Sequence, residues 1–211
     1  MHYVCRGAEP NTLSTIRSQY TNGWVGHYLN GIGDKPPTDK KWRQYLGVLG
    51  NVFGECCGYC EEYCKGEVDH YKPKKLFPDL VYVWDNWVYA CHTCNNNKGE
   101  TWLSSGFMDP CSLNTFGNGM KSCFIYDLET GEALPNPSLS KARRNRAQET
   151  IRVLNLNSSN RLKSRLDHIC MIEALAKLAE QNDNSAIEEL AFRGLPKTQY
   201  CSLTCYFIAV C

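Results

Sequence analysis

The 211-residue sequence lacks an excess of charge of either sign: 23 Lys and Arg stand against 22 Asp and Glu, a net charge of +1. A near-neutral chain exerts no general pull on a polyanion, so any nucleic-acid surface has to be local. No run of apolar residues is long enough to span a bilayer. The opening residues, MHYVCRGAEPNTLSTIR, lack the basic-then-apolar order of a secretory signal. These absences predict a cytoplasmic protein with no membrane partner. The chain has neither an internal repeat nor a low-complexity segment, and its 43% hydrophobic content supports one domain with a real core and a smaller appended subdomain.

Cysteine, by contrast, is plentiful. The count is 13, an odd number, so a closed disulfide framework of a secreted protein would leave one thiol over. In a reducing compartment such cysteines serve as metal ligands or as small buried hydrophobes. Cys5, Cys111, Cys123, Cys170, Cys201, Cys205 and Cys211 stand outside any ligand pattern and read as packing residues.

Composition divides the chain into four stretches. Residues 1–54 read as an N-terminal helical segment: a short helix over Thr12 to Tyr20, a Pro/Gly loop, then a helix capped by Thr38 and stopped by Gly54, with Trp42, Tyr45, Leu46, Leu49 and Phe53 at helical spacing. Residues 55–106 are rich in Cys, Trp, Tyr and Asn and contain the β-prone runs LVYVW and NWVYAC. Residues 107–138 contain SCFIYDLETGEALPN, which reads as a hairpin turning at Glu129 to Gly131. Residues 139–211 read as helical. Leu162, Leu166, Ile169 and Ile172 share a face, which predicts that two helices pack as a pair. A third helix is expected over Ser185 to Phe192, and the terminal CYFIAVC as a core element.

Two CxxC pairs, Cys57–Cys60 and Cys91–Cys94, bracket the second stretch. A CxxC turn brings two thiolates to one ion, and two such turns complete a closed tetrahedral Zn²⁺ site. Cys56 and Cys64 flank the first pair and His92 sits inside the second, which leaves the ligand set open. Equal spacing favours Cys57, Cys60, Cys91 and Cys94. No thioredoxin-like βαβ pattern surrounds either pair, so redox chemistry ranks behind structural zinc.

Between the pairs lies VDHYKPKK, and after the second comes NNNKG. Phosphodiester hydrolysis needs a base for water and a cation for the phosphate. His70 has the right ordinary pKa for the first role. Asp69 and the Asn95 carbonyl are hard oxygen donors suited to Mg²⁺ or Mn²⁺. In a short helix, Asn95 and Lys98 share a face, placing Lys98 to touch phosphate. Taken singly, an Asp-His pair is ordinarily a surface turn, an Asn run a loop, and KPKK a solvated basic turn. Their order around two CxxC pairs is what points to chemistry.

That order, Cys57-Gly-Tyr-Cys60, Asp69-His70-Tyr-Lys-Pro73, Asn86-Trp87 and Cys91-His-Thr-Cys94-Asn95-x-x-Lys98, resembles the HNH endonuclease family and its ββα-metal core. The resemblance implies an α+β protein in which a zinc-stapled core is embedded in a mainly helical domain with one extra β-hairpin. It implies a catalytic set of His70, Asp69, Asn86 and Asn95. His70 is the general base, Asn86 holds the His70 loop, and Asp69 with Asn95 binds the catalytic divalent ion. The last motif position, often His in the family, is Asn95 here, an HNN form.

DNA contacts are expected from Lys72, Lys74, Lys75 and Lys98, with the basic stretch Lys141, Arg143, Arg144 and Arg146 facing either solvent, DNA or a partner subunit. The segments YVCRGAEPNTL, FMDP, FIYDLETGEALPN and AQETIRVLNLNSSNRLKSR are similar to those of the small HNH proteins of Septu-type and retron-associated anti-phage systems. This implies a DNA-cutting subunit acting with a separate ATPase. The sequence holds no GxxxxGK[ST] loop, so control by ATP would come through such a partner. The competing expectation is a non-catalytic, zinc-stabilised nucleic-acid-binding or adaptor module, in which Asp69 and His70 are structural.

Overall fold

The computed structural model describes residues 1–104, 106–112 and 122–211. Part of the 107–138 connection, residues 113–121, thus lies outside the described residues. Among the described residues the architecture is α+β: two separate two-stranded antiparallel sheets among helices. Among the described residues, no helix is long and apolar enough to cross a membrane.

Helix α1 covers Leu13–Asn30, ten residues beyond the Tyr20 boundary expected from sequence. The helix runs on to Gly31, whose φ of 66° is the left-handed cap conformation. There the Ile32 amide donates to the Gly26 carbonyl at 2.9 Å, closing the last turn. Helix α2, Leu46–Phe53, is preceded by a 3-10 turn over Lys41–Tyr45. Thr38 is therefore not its cap: the Thr38 carbonyl instead accepts from the Lys40 amide in a local turn. Gly54 does end α2, with φ 62°.

Strand β1, Glu67–His70, pairs antiparallel with β2, Trp87–Ala90, with Asp69 opposite Val88 and His70 opposite Trp87. Helix α3, His92–Lys98, follows at once. The expected strand LVYVW does not form. Its residues sit in 3-10 turns, with the Val83 amide donating to Leu80 and the Asn86 amide to Val83. Its apolar side chains Val81, Tyr82 and Trp84 are buried as a connection, so burial without alternation marked an inward turn rather than a strand.

The second sheet pairs β3, Phe124–Tyr126, with β4, Ala133–Pro135. Then come α4, Lys141–Val153, α5, Ser159–Glu180, α6, Asn184–Arg193, and α7, Cys201–Val210. The expected pairing of α4 with α5 is replaced: α4 packs on β4, α5 on α6, and α7 on β3. The buried face of α5 is polar as well as apolar, comprising Arg161, Arg165, His168, Ile169 and Ile172, and this is why an apolar stripe misjudged its partner. Phe207 of α7 is buried, but Ile208 and Val210 are exposed, so the terminal segment is core on one side only. Cys123 and Cys201 pack inside, whereas Cys5, Cys170 and Cys211 are exposed, contrary to a packing role.

Candidate active site and metal centre

The first cysteine turn is a knuckle set by backbone bonds. The Cys57 amide donates to the Glu62 carbonyl, the Glu61 amide to Cys57, and the Gly58 amide to Tyr89 on β2. Gly58 is required by close approach: a Cβ there would lie 2.6 Å from Phe53 and 2.9 Å from Val88. The second turn is the start of α3, with Cys91 as N-cap and its sulfur accepting from the Cys94 amide at 3.4 Å.

The two turns bring Cys57, Cys60, Cys91 and Cys94 together, all four sulfurs within 4.8 Å of one another. Cys60 Sγ and Cys91 Sγ stand 3.8 Å apart, too far for a disulfide. The spacing equals the edge of a tetrahedron with Zn–S bonds of about 2.3 Å. Cys56 and Cys64 fall outside this group, and His92 turns away to Glu67 at 2.9 Å. Burial pushes the Cys60 and Cys94 thiols well up, whereas hydrogen bonds from the other three sulfurs hold the Cys91 thiol down. Four such thiolates coexist only around a cation, so the donor set fits zinc.

On the same hairpin, Asp69, His70 and Asn95 line a cavity of about 180 Å³ together with Lys40, Trp42 and Lys74. Residues two apart on a strand and three apart on a helix meet here face to face. Asn95 Nδ2 donates to Glu67 Oε2 at 2.5 Å, and Lys98 Nζ to Asp69 Oδ1 at 2.8 Å. Tyr59 Oη donates to the other Asp69 oxygen at 2.6 Å. Each carboxylate oxygen has two lone pairs, so Asp69 keeps acceptor capacity toward the cavity.

His70 is 5% exposed. Trp42 packs edge-on against its ring, with centroids 4.9 Å apart. Its Nε2 lies 2.9 Å from the Val81 carbonyl. A carbonyl only accepts, so Nε2 carries the proton and Nδ1 holds a free lone pair. Burial, with the nearby Lys74 charge, holds the imidazole down to about 3 against the opposing Val81 bond. It is neutral at pH 7.

Asn86 is buried outside this cavity. Its Oδ1 accepts from the Lys72 amide at 2.8 Å, and Nδ2 donates to the carbonyls of Lys72 at 3.1 Å and Leu80 at 3.2 Å. The loop after His70 is thus tied to the turn before β2.

The lysines separate. Lys74 lines the cavity, Lys72 lies over the Phe77 ring at 5.5 Å, and Lys75 is exposed and paired with Glu100 at 2.9 Å. Lys98 is a correction to the expected phosphate contact. It is fully buried, with its ammonium on Asp69 and on the His70 carbonyl at 2.7 Å. The helix face that it shares with Asn95 points into the sheet, where a lone charge is untenable without its counter-ion.

Of the basic stretch, Arg144 donates to the carbonyls of Pro137 and Leu139. Sequence reasoning missed Glu67, Tyr59 and Arg161. Strand alternation from Asp69 could have found Glu67. No local signal marks the other two.

A sequence model of the HNH endonuclease family matches residues 57–101. The Septu protein PtuB of Bacillus thuringiensis is 31% identical over 135 residues, which make up 61% of this chain and 48% of that protein. The chain thus spans about half the length of the curated relative it matches. With its paired cysteine turns, hairpin and helix in this arrangement, the chain carries an HNH endonuclease core at residues 57–101.

Proposed function

We propose that this protein is a metal-dependent endonuclease that hydrolyses DNA phosphodiester bonds. We further propose that it serves as the nuclease component of an anti-phage defence complex with a separate ATPase. The observation that carries the reading is the convergence of an imidazole, two oxygen donors and a lysine on one cavity of an HNH core.

In this reading His70 Nδ1 takes the proton of the attacking water. The bond from Nε2 to Val81 fixes the ring and the tautomer, and the Trp42 edge limits its swing. Asn86 holds the following loop. Asp69 and Asn95 would hold Mg²⁺ or Mn²⁺, which when bound would supply charge stabilisation to the phosphodiester in its transition state. Glu67 accepts the Asn95 amide N–H, which leaves the Asn95 carbonyl free to serve as a donor. Lys74 is the nearest phosphate contact, with Lys72 and Lys75 outward of it. The four cysteines would hold structural zinc, which would take no part in bond breaking.

The likeness to a Septu protein supports a role beside a separate ATPase. The test is plasmid cleavage with Mg²⁺ or Mn²⁺ by the protein purified alone and with the proteins encoded beside it. His70→Ala is expected to abolish cleavage while retaining zinc. Equal cleavage by both proteins sinks the mechanism. Failure of the unaltered protein to cut in every combination favours a zinc-stabilised adaptor.

A further inference from the structure

Helix α5 carries an arginine into the interior. Arg161 is 5% exposed, and burying a guanidinium is costly unless its charge and its N–H groups find partners. Among the described residues, no carboxylate lies within ion-pair distance of it. Its Nη2 instead points at sulfur, 3.1 Å from Cys94 Sγ and 3.8 Å from Cys91 Sγ. Neutral thiols would not compensate this charge, whereas thiolates would. A divalent ion on four thiolates leaves a net charge of −2, which a buried cation partly offsets.

We propose that Arg161 is a positioning residue of the cysteine metal centre: its guanidinium neutralises and hydrogen-bonds the Cys91 and Cys94 thiolates, and so docks helix α5 on the HNH core through the metal site. This rests on the reading of the four cysteines as a zinc centre. The centre then does more than staple two turns 30 residues apart. It ties residues 159–180, far along the chain, to the helix that carries Asn95.

The experiment compares the full-length protein with Arg161→Met and Arg161→Lys. Zinc content is measured first, then zinc affinity by competition with a chromophoric chelator. Cobalt is then substituted, and the sulfur-to-cobalt charge-transfer band recorded. Loss of an outer-shell partner of this kind weakens metal binding by roughly 10–100-fold, and this is expected for Arg161→Met, with partial recovery in Arg161→Lys. The cobalt band should move to lower energy in Arg161→Met as the thiolates lose a donor, a shift that mere loss of packing would not produce.

Should Arg161→Met fail to fold, hydrogen exchange on the unaltered protein replaces it. Chelation of the metal is then expected to raise exchange across residues 159–180 as well as across the knuckles. One zinc per chain with unchanged affinity and an unmoved cobalt band in Arg161→Met would overturn the Arg161 role and leave the zinc reading standing. Exchange confined to the knuckles on chelation would do the same. Absence of zinc from the unaltered protein overturns both.

Discussion

The cysteine cluster and the Asp69–His70 cavity are built on the same hairpin and the same short helix, yet they are finished in opposite ways. At the cluster, four sulfurs face one another, and the buried Arg161 closes the set, leaving no open position. At the cavity, the residues that line the open space are each held by hydrogen bonds to neighbouring groups. His70 is fixed through Nε2 and free at Nδ1. Asn95 is fixed through its amide nitrogen and free at its carbonyl. The difference teaches how a small core divides its labour: the closed side supplies rigidity, and the open side spends it on holding reactive groups apart.

The sharpest way to break this comparison is to open the closed side. Cys94→Ser should remove zinc and unfold residues 57–101, since metal binding to such a centre is folding free energy. Zinc content and far-UV circular dichroism will show both losses together. If the core stays folded without metal, the closed side is not the staple described.

Next in size is the open side. His70→Ala should cut nuclease turnover by about 10²–10⁴-fold, the range for a positioned general base. Zinc content should be unchanged, so that chemistry and folding separate between the two surfaces.

Lys98 sharpens the boundary. Removing the ammonium in Lys98→Met strands a buried carboxylate, and breaking such a pair costs roughly 3–5 kcal/mol. Urea denaturation should show that loss. Lys74→Gln should leave stability nearly unchanged while lowering the salt dependence of DNA binding by about one phosphate contact. The reverse pattern would return Lys98 to the phosphate surface.

The smallest effect lies away from both surfaces. His168 is buried on α5 against Thr204 at 2.8 Å. Burial, with the Arg193 charge, holds it down to about 4 despite Glu61, below its ordinary 6.5. A depressed histidine is neutral in the folded chain while the unfolded chain still takes up a proton. Its contribution is therefore present above pH 6.5 and lost as pH falls toward 4, by up to roughly 3 kcal/mol. His168→Gln should flatten that part of the stability–pH curve measured by denaturation.

Much of the core was legible in the sequence because its information is local. A CxxC turn places two sulfurs by spacing alone. NWVYAC followed by HTCNNNKG contains the switch from strand to helix, and the LETG turn closes the second hairpin. Legibility failed where distant packing overrode local pattern. LVYVW has strand residues but is buried in turns, and α1 runs past the boundary expected at Tyr20 to its cap at Gly31. Lys98 looked like a surface cation because nothing near it in the chain announces that its face meets β1.

The sequence by itself determined which chemistry this protein carries: two thiolate pairs, an Asp-His, and an asparagine three before a lysine, in a fixed order. Tertiary structure decided which of those groups stay available. It buried Lys98 against Asp69, turned His92 away from the sulfurs, set Asn86 behind the cavity, and brought Arg161 across 67 residues to Cys94. The physical reason is that a charge or donor acts according to what faces it. Facing partners come from elements far apart in the chain, whose meeting no local spacing records.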